Sequence, residues 1–320
     1  MKEIRNTFWT RLSAVIGFTF IACFLWGSAF PCIKIGYRLF GIPAGDSASQ
    51  LVFAGIRFFL AGLMVIGVAS FQKKKFAAPS AAGIPKVLIL ALLQTAGQYF
   101  FFYIGLAHAS GVSSSIIEGA NTFFCILVAA FVFRSERINI RKMLGCAVGF
   151  LGVVLIQLPD GGMDIHFSLV GEGFVLFSTV LAAFSSSYIK KVGQREDPMV
   201  MSGWQFFAGG LMLAAGGFFA GGRISPAAAG EQQAAAILLM FYMAFISATA
   251  YTIWSMLLKY NPVSRISVFS FINPMFGVLL SALLLGEGGR AFSLTGILAL
   301  ILVCLGIVIV NMGQNQQTTD

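Results

Sequence analysis

Charge is scarce in this sequence. Asp, Glu, Lys and Arg make up 10% of its 320 residues, where a soluble domain carries about 25%. Histidine is scarcer still, with only His108 and His166, which leaves little material for a metal centre or for imidazole catalysis. The five cysteines, Cys23, Cys32, Cys125, Cys146 and Cys304, are far apart and show no CxxC spacing. They give neither a metal signature nor a disulfide framework. No GxxxxGK[ST] phosphate loop occurs, so ATP drive from this chain is not expected. No cofactor, metal site or enzyme activity is expected.

What the sequence has instead is apolar length. Hydrophobic residues make up 58%, and the mean hydropathy is +0.87. A helix needs about 20 mainly apolar residues to cross a bilayer. Ten stretches qualify: 14–36, 51–71, 86–107, 112–133, 141–158, 168–190, 199–221, 236–258, 263–285 and 293–312. The runs are continuous, whereas barrel strands would read as short alternating segments. The expected fold class is all-α integral membrane, with ten transmembrane helices. The basic start, Lys2 to Arg11, leads into a hydrophobic stretch with no small-residue cleavage site, so the first run reads as a span rather than a secretory leader.

The net charge of +9 suggests a nucleic-acid partner until its placement is considered. With the N-terminus inside, Lys73, Lys74, Lys75, Arg134, Arg137, Arg141, Lys142, Lys190, Lys191 and most other cations fall on the inner side. Arg38, Arg223 and Arg290 fall outside. This is the bias that orients membrane proteins, so no nucleic acid is expected. It predicts a multi-pass protein of the cytoplasmic (inner or plasma) membrane with both termini cytoplasmic.

Ten spans divide into two sets of five, and odd-numbered sets must be inverted relative to each other. Span four ends FVFRSERINIRKMLG (131–145) and span nine ends LLLGEGGRAFSLTG (283–296), each placing a glutamate, Glu136 or Glu287, before a glycine that opens the next span. A shift of 152 residues carries Ser115, Glu118, Asn121 and Thr122 onto Ser267, Ser270, Asn273 and Pro274. The expected organisation is a first repeat over 1–158, a second over 168–312, and a cytoplasmic tail over 313–320, joined by the polar stretch PDGGMDIHF (159–167).

FLWGSAFPCIKI (24–35), FAGIRFFLAG (53–62), YFFFYIGLAHASGVSSSI (99–116), AYTIWSMLLKYNPVSRIS (250–267) and INPMFGVLLSALLLGE (272–287) carry a resemblance over nearly the whole chain. In order and spacing they resemble the drug/metabolite transporter superfamily, EamA type. The sequence departs from the common family pattern in span four. Thr122 stands where proline is frequent, and Glu118 where an apolar or small residue is frequent.

Polar residues recur at helical spacing, which places them on shared faces. Span four carries Ser114, Glu118, Asn121, Thr122 and Cys125; span nine carries Ser270, Asn273 and Pro274. Span three carries Gln94 and Gln98, span six Ser185, span eight Tyr251 and Trp254, and span one Trp26, Phe30 and Lys34. Lipid penalises polar groups, so these faces should turn inward and line a substrate cavity. For single serines, close helix packing is the competing explanation. Lys34, Arg57 and Glu118 fall in one outer layer, where Glu118 is expected to pair with Lys34 or Arg57, as a coupling group or as a static bridge. Glu136 and Glu287, at span ends, suit loop structure or gating.

The resemblance implies a secondary transporter working by alternating access on a small polar or amphipathic, amino-acid-like metabolite, with export as the expected direction. Proton coupling stays open, as does monomer or dimer. A drug or phosphorylated-metabolite transporter of the same fold, or a non-transporting membrane sensor or scaffold, is the alternative. Partners are a small-molecule substrate and the lipid bilayer.

Overall fold

Apolar runs of this length can satisfy their backbone hydrogen bonds within one segment only as helices. The protein, seen in a computed structural model, is described over residues 7–134, 138–156, 167–192, 197–261 and 268–312. Every element described there is helical. Ten helices stand where ten runs were expected. They are α1 (Leu12–Leu39), α2 (Ser47–Lys73), α3 (Ile84–His108), α4 (Gly111–Val132), α5 (Ile140–Leu155), α6 (Phe174–Val192), α7 (Pro198–Phe219), α8 (Gln233–Tyr260), α9 (Ile272–Leu285) and α10 (Leu294–Met312). By length and composition, seven helices among the described residues can cross a membrane, in α1 to α4 and α6 to α8. In α9 and α10 the apolar helix is shorter, and α5 has 16 residues. Glu136, His166 and Ser267 lie outside the described residues.

Polar side chains start several helices. Asp46 accepts from the Ser49 N–H (3.0 Å), Ser110 from Ser113 (3.0 Å) and Asn139 from Lys142 (2.9 Å). Each satisfies a backbone donor that the first turn leaves free. Asp197 does the same for α7 and also pairs with Lys73 at 2.8 Å. Burial pushes its carboxyl up, but the hydrogen bonds from Lys73 and Met199 and the lysine charge outweigh it, holding it below the usual range. Outward faces carry large apolar groups such as Phe71, Phe219, Leu238, Leu283 and Leu294, as a lipid-facing surface requires.

The two halves are inverted copies. Counterpart helices pack antiparallel, because residue numbers rise along one while they fall along the other. On α2 and α7, Gly55 meets Ala214, Gly62 meets Phe207 and Ile66 meets Gly203. On α4 and α9, Gly111 meets Ser281, Ser115 meets Gly277 and Gly119 meets Pro274. On α5 and α10, Gly145 meets Val310 and Gly152 meets Val303. The remaining contacts obey the same exchange. α1 packs on α8 and α9 as α6 packs on α3 and α4, and α2 packs on α8 as α7 packs on α3.

The seam between α2 and α7 depends on small residues. A side chain at Gly210 would strike the backbone of Phe59 and Gly55, whereas Gly216, on the same helix, faces open space. Gly210→Val should therefore lose about 1–3 kcal/mol to overpacking, and Gly216→Ala should be neutral or slightly stabilising. Thermal unfolding of the two detergent-solubilised variants checks this; equal melting temperatures would contradict the close-packed seam.

Candidate functional site

Regular helix gives way at three places near the middle of the bundle. α3 widens to a π-helix over Ala91–Gln98, the turn that carries Gln94 and Gln98. α4 breaks after Gly119, where the Ala120 N–H bonds to the Ile117 carbonyl and the Phe123 N–H to the Ala120 carbonyl (2.9 Å each). α9 is preceded by a 3-10 turn over Val268–Phe271. Glu118 sits just before the break in α4, Ser270 in the turn before α9, and Asn121 and Asn273 just beyond. The two irregular points are therefore counterparts at the same 152-residue shift. Discontinuous helices at the interface of inverted repeats are where secondary transporters hold substrate, and π-bulges often mark functional sites.

Aromatic rings meet where the two halves join. Phe58 and Phe206 stack across the α2–α7 seam at 5.6 Å. Phe58 stacks on Tyr99 at 4.1 Å and Phe206 meets Tyr251 edge-on at 4.8 Å, so the two halves mirror each other. The Tyr99 and Tyr251 hydroxyls lie 3.3 Å apart. Trp26 closes one side, 5.4 Å from Tyr251 and 5.2 Å from Trp254. Glu118 is near enough to both tyrosines to act on them electrostatically. Trp26, Glu118, Asn121, Thr122, Tyr251, Trp254, Ser270 and Asn273 are half-buried.

Other expected lining residues are spent on structure. Phe30 is buried against Phe102, at 5.7 Å, and the Ser185 hydroxyl donates to Leu181 on its own helix (2.9 Å). Gln94 is buried and accepts from Gln205 Nε2 at 2.9 Å. Gln98 is buried too, but its Oε1 has no hydrogen-bond partner among the described residues. The same holds for Glu118 Oε2 and Asn273 Oδ1.

The expected pairing of Glu118 with Lys34 or Arg57 is not formed. Arg57 lies ten residues into α2, since that helix starts at Ser47 and not at 51, which puts it about 15 Å along the axis. There its Nε donates to the Met243 carbonyl (3.0 Å), Nη1 to the Tyr103 hydroxyl and Nη2 to the Ser247 hydroxyl (3.1 Å). Its guanidinium also lies 5.1 Å from the centre of the Phe58 ring, over its face. Arg57 is thus a clamp joining α2, α3 and α8. Hydrogen bonds to a charged group are worth about 1.5–3 kcal/mol each, enough to hold a buried cation. Lys34 is taken instead by the turn between α3 and α4 and by Glu287. Its Nζ donates to the Ala109 carbonyl and lies 3.9 Å from Glu287 Oε1. The Glu287 carboxylate in turn accepts from the N–H groups of Gly111 (3.0 Å) and Val112 (2.8 Å), a carboxylate on a helix N-terminus. Gly286, at φ +72°, makes the left-handed turn that presents it.

The residues the sequence reading missed are Phe58, Tyr99, Tyr103, Gln205 and Phe206. A signal was available: GIRFFLAG (55–62) recurs as GWQFFAGG (203–210), 148 residues on, which puts Gln205 at the counterpart of Arg57.

The sequence pattern of the EamA-like transporter family matches residues 13–158 and again 169–312. The chain belongs to this family. It is accordingly a multi-pass membrane protein of a transporter family, not an enzyme. An uncharacterised transporter of Archaeoglobus fulgidus is 28% identical, over 89% of this chain and 94% of its own. A protein of Salmonella typhimurium named a probable amino-acid metabolite efflux pump is 29% identical, over 89% of this chain and 90% of its own. A solved structure with 18% identity superposes with a TM-score of 0.64, covering 94% of this chain and 97% of that one, which speaks for the fold alone.

The Glu287 clasp ties α1, α4 and the end of α9 together above Cys32, which is buried. In a variant that keeps Cys32 as its only cysteine, Glu287→Ala should raise the rate of labelling by a membrane-impermeant maleimide several-fold. An unchanged rate would mean that the clasp does not limit access.

Proposed function

We propose that this protein moves a small polar or amphipathic, amino-acid-like metabolite by alternating access, as an exporter of the cytoplasmic membrane with both termini inside. The observation that carries the reading is that helix irregularities occur at counterpart positions in both inverted halves, beside the half-buried Glu118, Asn121, Ser270 and Asn273. Inverted halves supply two related packings of one set of helices, which is what alternating access needs. The distribution of Lys and Arg supports the orientation. The Salmonella relative's name supports the substrate class and the direction. A phosphorylated substrate fits less well, because Lys34 and Arg57 are both engaged within the protein.

Within this reading Glu118 is the group to test. A carboxylate inside a membrane is retained where it binds something, a proton or a ligand. Counterflow into proteoliposomes, screened over amino acids and related metabolites, should show saturable accumulation of one class. Glu118→Gln should lower that flux by at least about tenfold, or abolish its dependence on pH, since removing the partner of a charged hydrogen bond is worth about 1.5–3 kcal/mol. Unchanged flux with an unchanged pH profile would take Glu118 out of the mechanism.

A further inference from the structure

Resting on the transport reading, we infer that the central site recognises its substrate by a cationic amine, and that a carboxylate on the substrate is not required for binding. Three buried oxygen acceptors, Gln98 Oε1, Glu118 Oε2 and Asn273 Oδ1, come from α3, α4 and α9 and have no partner among the described residues; the Thr95 and Ser114 hydroxyls, which can donate as well as accept, also have none, so the charged member of the set is Glu118. A buried acceptor without a donor is costly, so the group that completes such a site is a donor. The one among them that carries charge is a carboxylate, whose complement is a cation. A primary ammonium offers three N–H donors and one positive charge, matching both.

The apolar part of the site points the same way. Trp26, Tyr251 and Trp254 stand together with ring centroids 5.2–5.4 Å apart and are half-buried, so their surfaces are not wholly used by packing. Rings attract cations through their faces, by about 0.5–2 kcal/mol each depending on solvation. An anion would find poor complements. Arg57 is bonded to Met243, Tyr103 and Ser247 and backed by the Phe58 ring. Lys34 is held by Ala109 and Glu287. To take a carboxylate, either cation would have to give up contacts that join three helices. The second half offers no replacement at the corresponding place, since Gln205 stands where Arg57 does and is bonded to Gln94.

The test is a binding series on the purified wild-type protein in detergent, read by quenching of tryptophan emission and by thermal shift. The probes are phenethylamine and n-butylamine, N-acetylphenethylamine, which has the same body without charge, and 3-phenylpropionate, which is an anion. The two amines should bind at least about tenfold more tightly than the acetylated and anionic probes, the equivalent of about 1.4 kcal/mol. Glu118→Gln should remove that preference. If 3-phenylpropionate or N-acetylphenethylamine binds as well as the amines, or if neither amine binds, the inference is overturned, and this arm needs no variant to fold. The two readings fail separately. Amine binding with no counterflow of any substrate would refute transport while leaving the cation site standing. Saturable flux that excess amine does not inhibit would refute the cation site while leaving transport standing.

Discussion

The close approach of α2 and α7 is the constraint on which the rest of the structure depends. Lipid removes most of the hydrophobic force that joins helices in water, so association rests on contact and small residues. Gly55 and Gly62 on one helix and Gly203 and Gly210 on the other let the two backbones touch. That contact brings the Phe58 and Phe206 rings together across the junction of the halves, 5.6 Å apart and tilted by 33°. Tyr99 and Tyr251 then stack or abut on those rings, and their hydroxyls meet. With larger residues at the seam the four rings would separate, and the broken turns of α4 and α9 would no longer face a common space. The glycines offer no side chain of their own, yet they set the spacing of these rings.

The scaffold is symmetric and its chemistry is not. At matching positions Arg57 corresponds to Gln205, and Glu118 to Ser270. Gln205 and Arg57 make equivalent links, each tying its helix to a neighbour from the opposite half, Gln94 in one case and Met243 and Ser247 in the other. The charge of Arg57 therefore adds strength to a joint that a neutral amide serves in the other half. Glu118 differs. Ser270 is its counterpart, and Glu118 forms no ion pair among the described residues. Of Arg57 and Glu118, Arg57 is the one absorbed into the architecture.

The sequence made much of this legible, and for identifiable reasons. Apolar length identified the helices, because the requirement to satisfy the backbone in lipid leaves few other solutions. The inversion was readable from parity and from the aligned Glu118–Ser270 and Asn121–Asn273 positions. Depth was less readable. Arg57 was placed in an outer layer with Glu118 because its helix was started at the first apolar residue, whereas the capped polar turn Ser47–Gln50 lengthens it. Pairing was misjudged for the same reason that charges attract attention in hydrophobic sequence. Two opposite charges at similar depth suggest a bridge, but a guanidinium with five donors is satisfied as well by a carbonyl and two hydroxyls. Lys34, on a long stem, reached Ala109 and Glu287. Tyr99 and Tyr103 escaped notice as site residues because YFFFY entered only as part of the family resemblance, and their hydroxyls meet partners on other helices.

The upper half of α4 links the two ends of this arrangement. Gly111 and Val112 are held by the Glu287 carboxylate, and Glu118 follows on the same unbroken segment, about 10 Å below at 1.5 Å per residue. The helix then breaks at Ala120, where hydrogen bonds tighten to the i→i−3 pattern. A short rigid rod thus has the outer clasp at one end, the unpartnered carboxylate near the other, and a backbone irregularity directly beneath it. Whatever displaces Glu287 from the start of α4 also removes the restraint on the segment that positions Glu118. Conversely, a ligand that draws Glu118 toward α3 or α8 pulls on the clasp through seven residues of helix. The Glu287 clasp and Glu118 therefore sit on one continuous helical segment. The pivot available to that segment is the break at Ala120, which has its counterpart in the turn before α9.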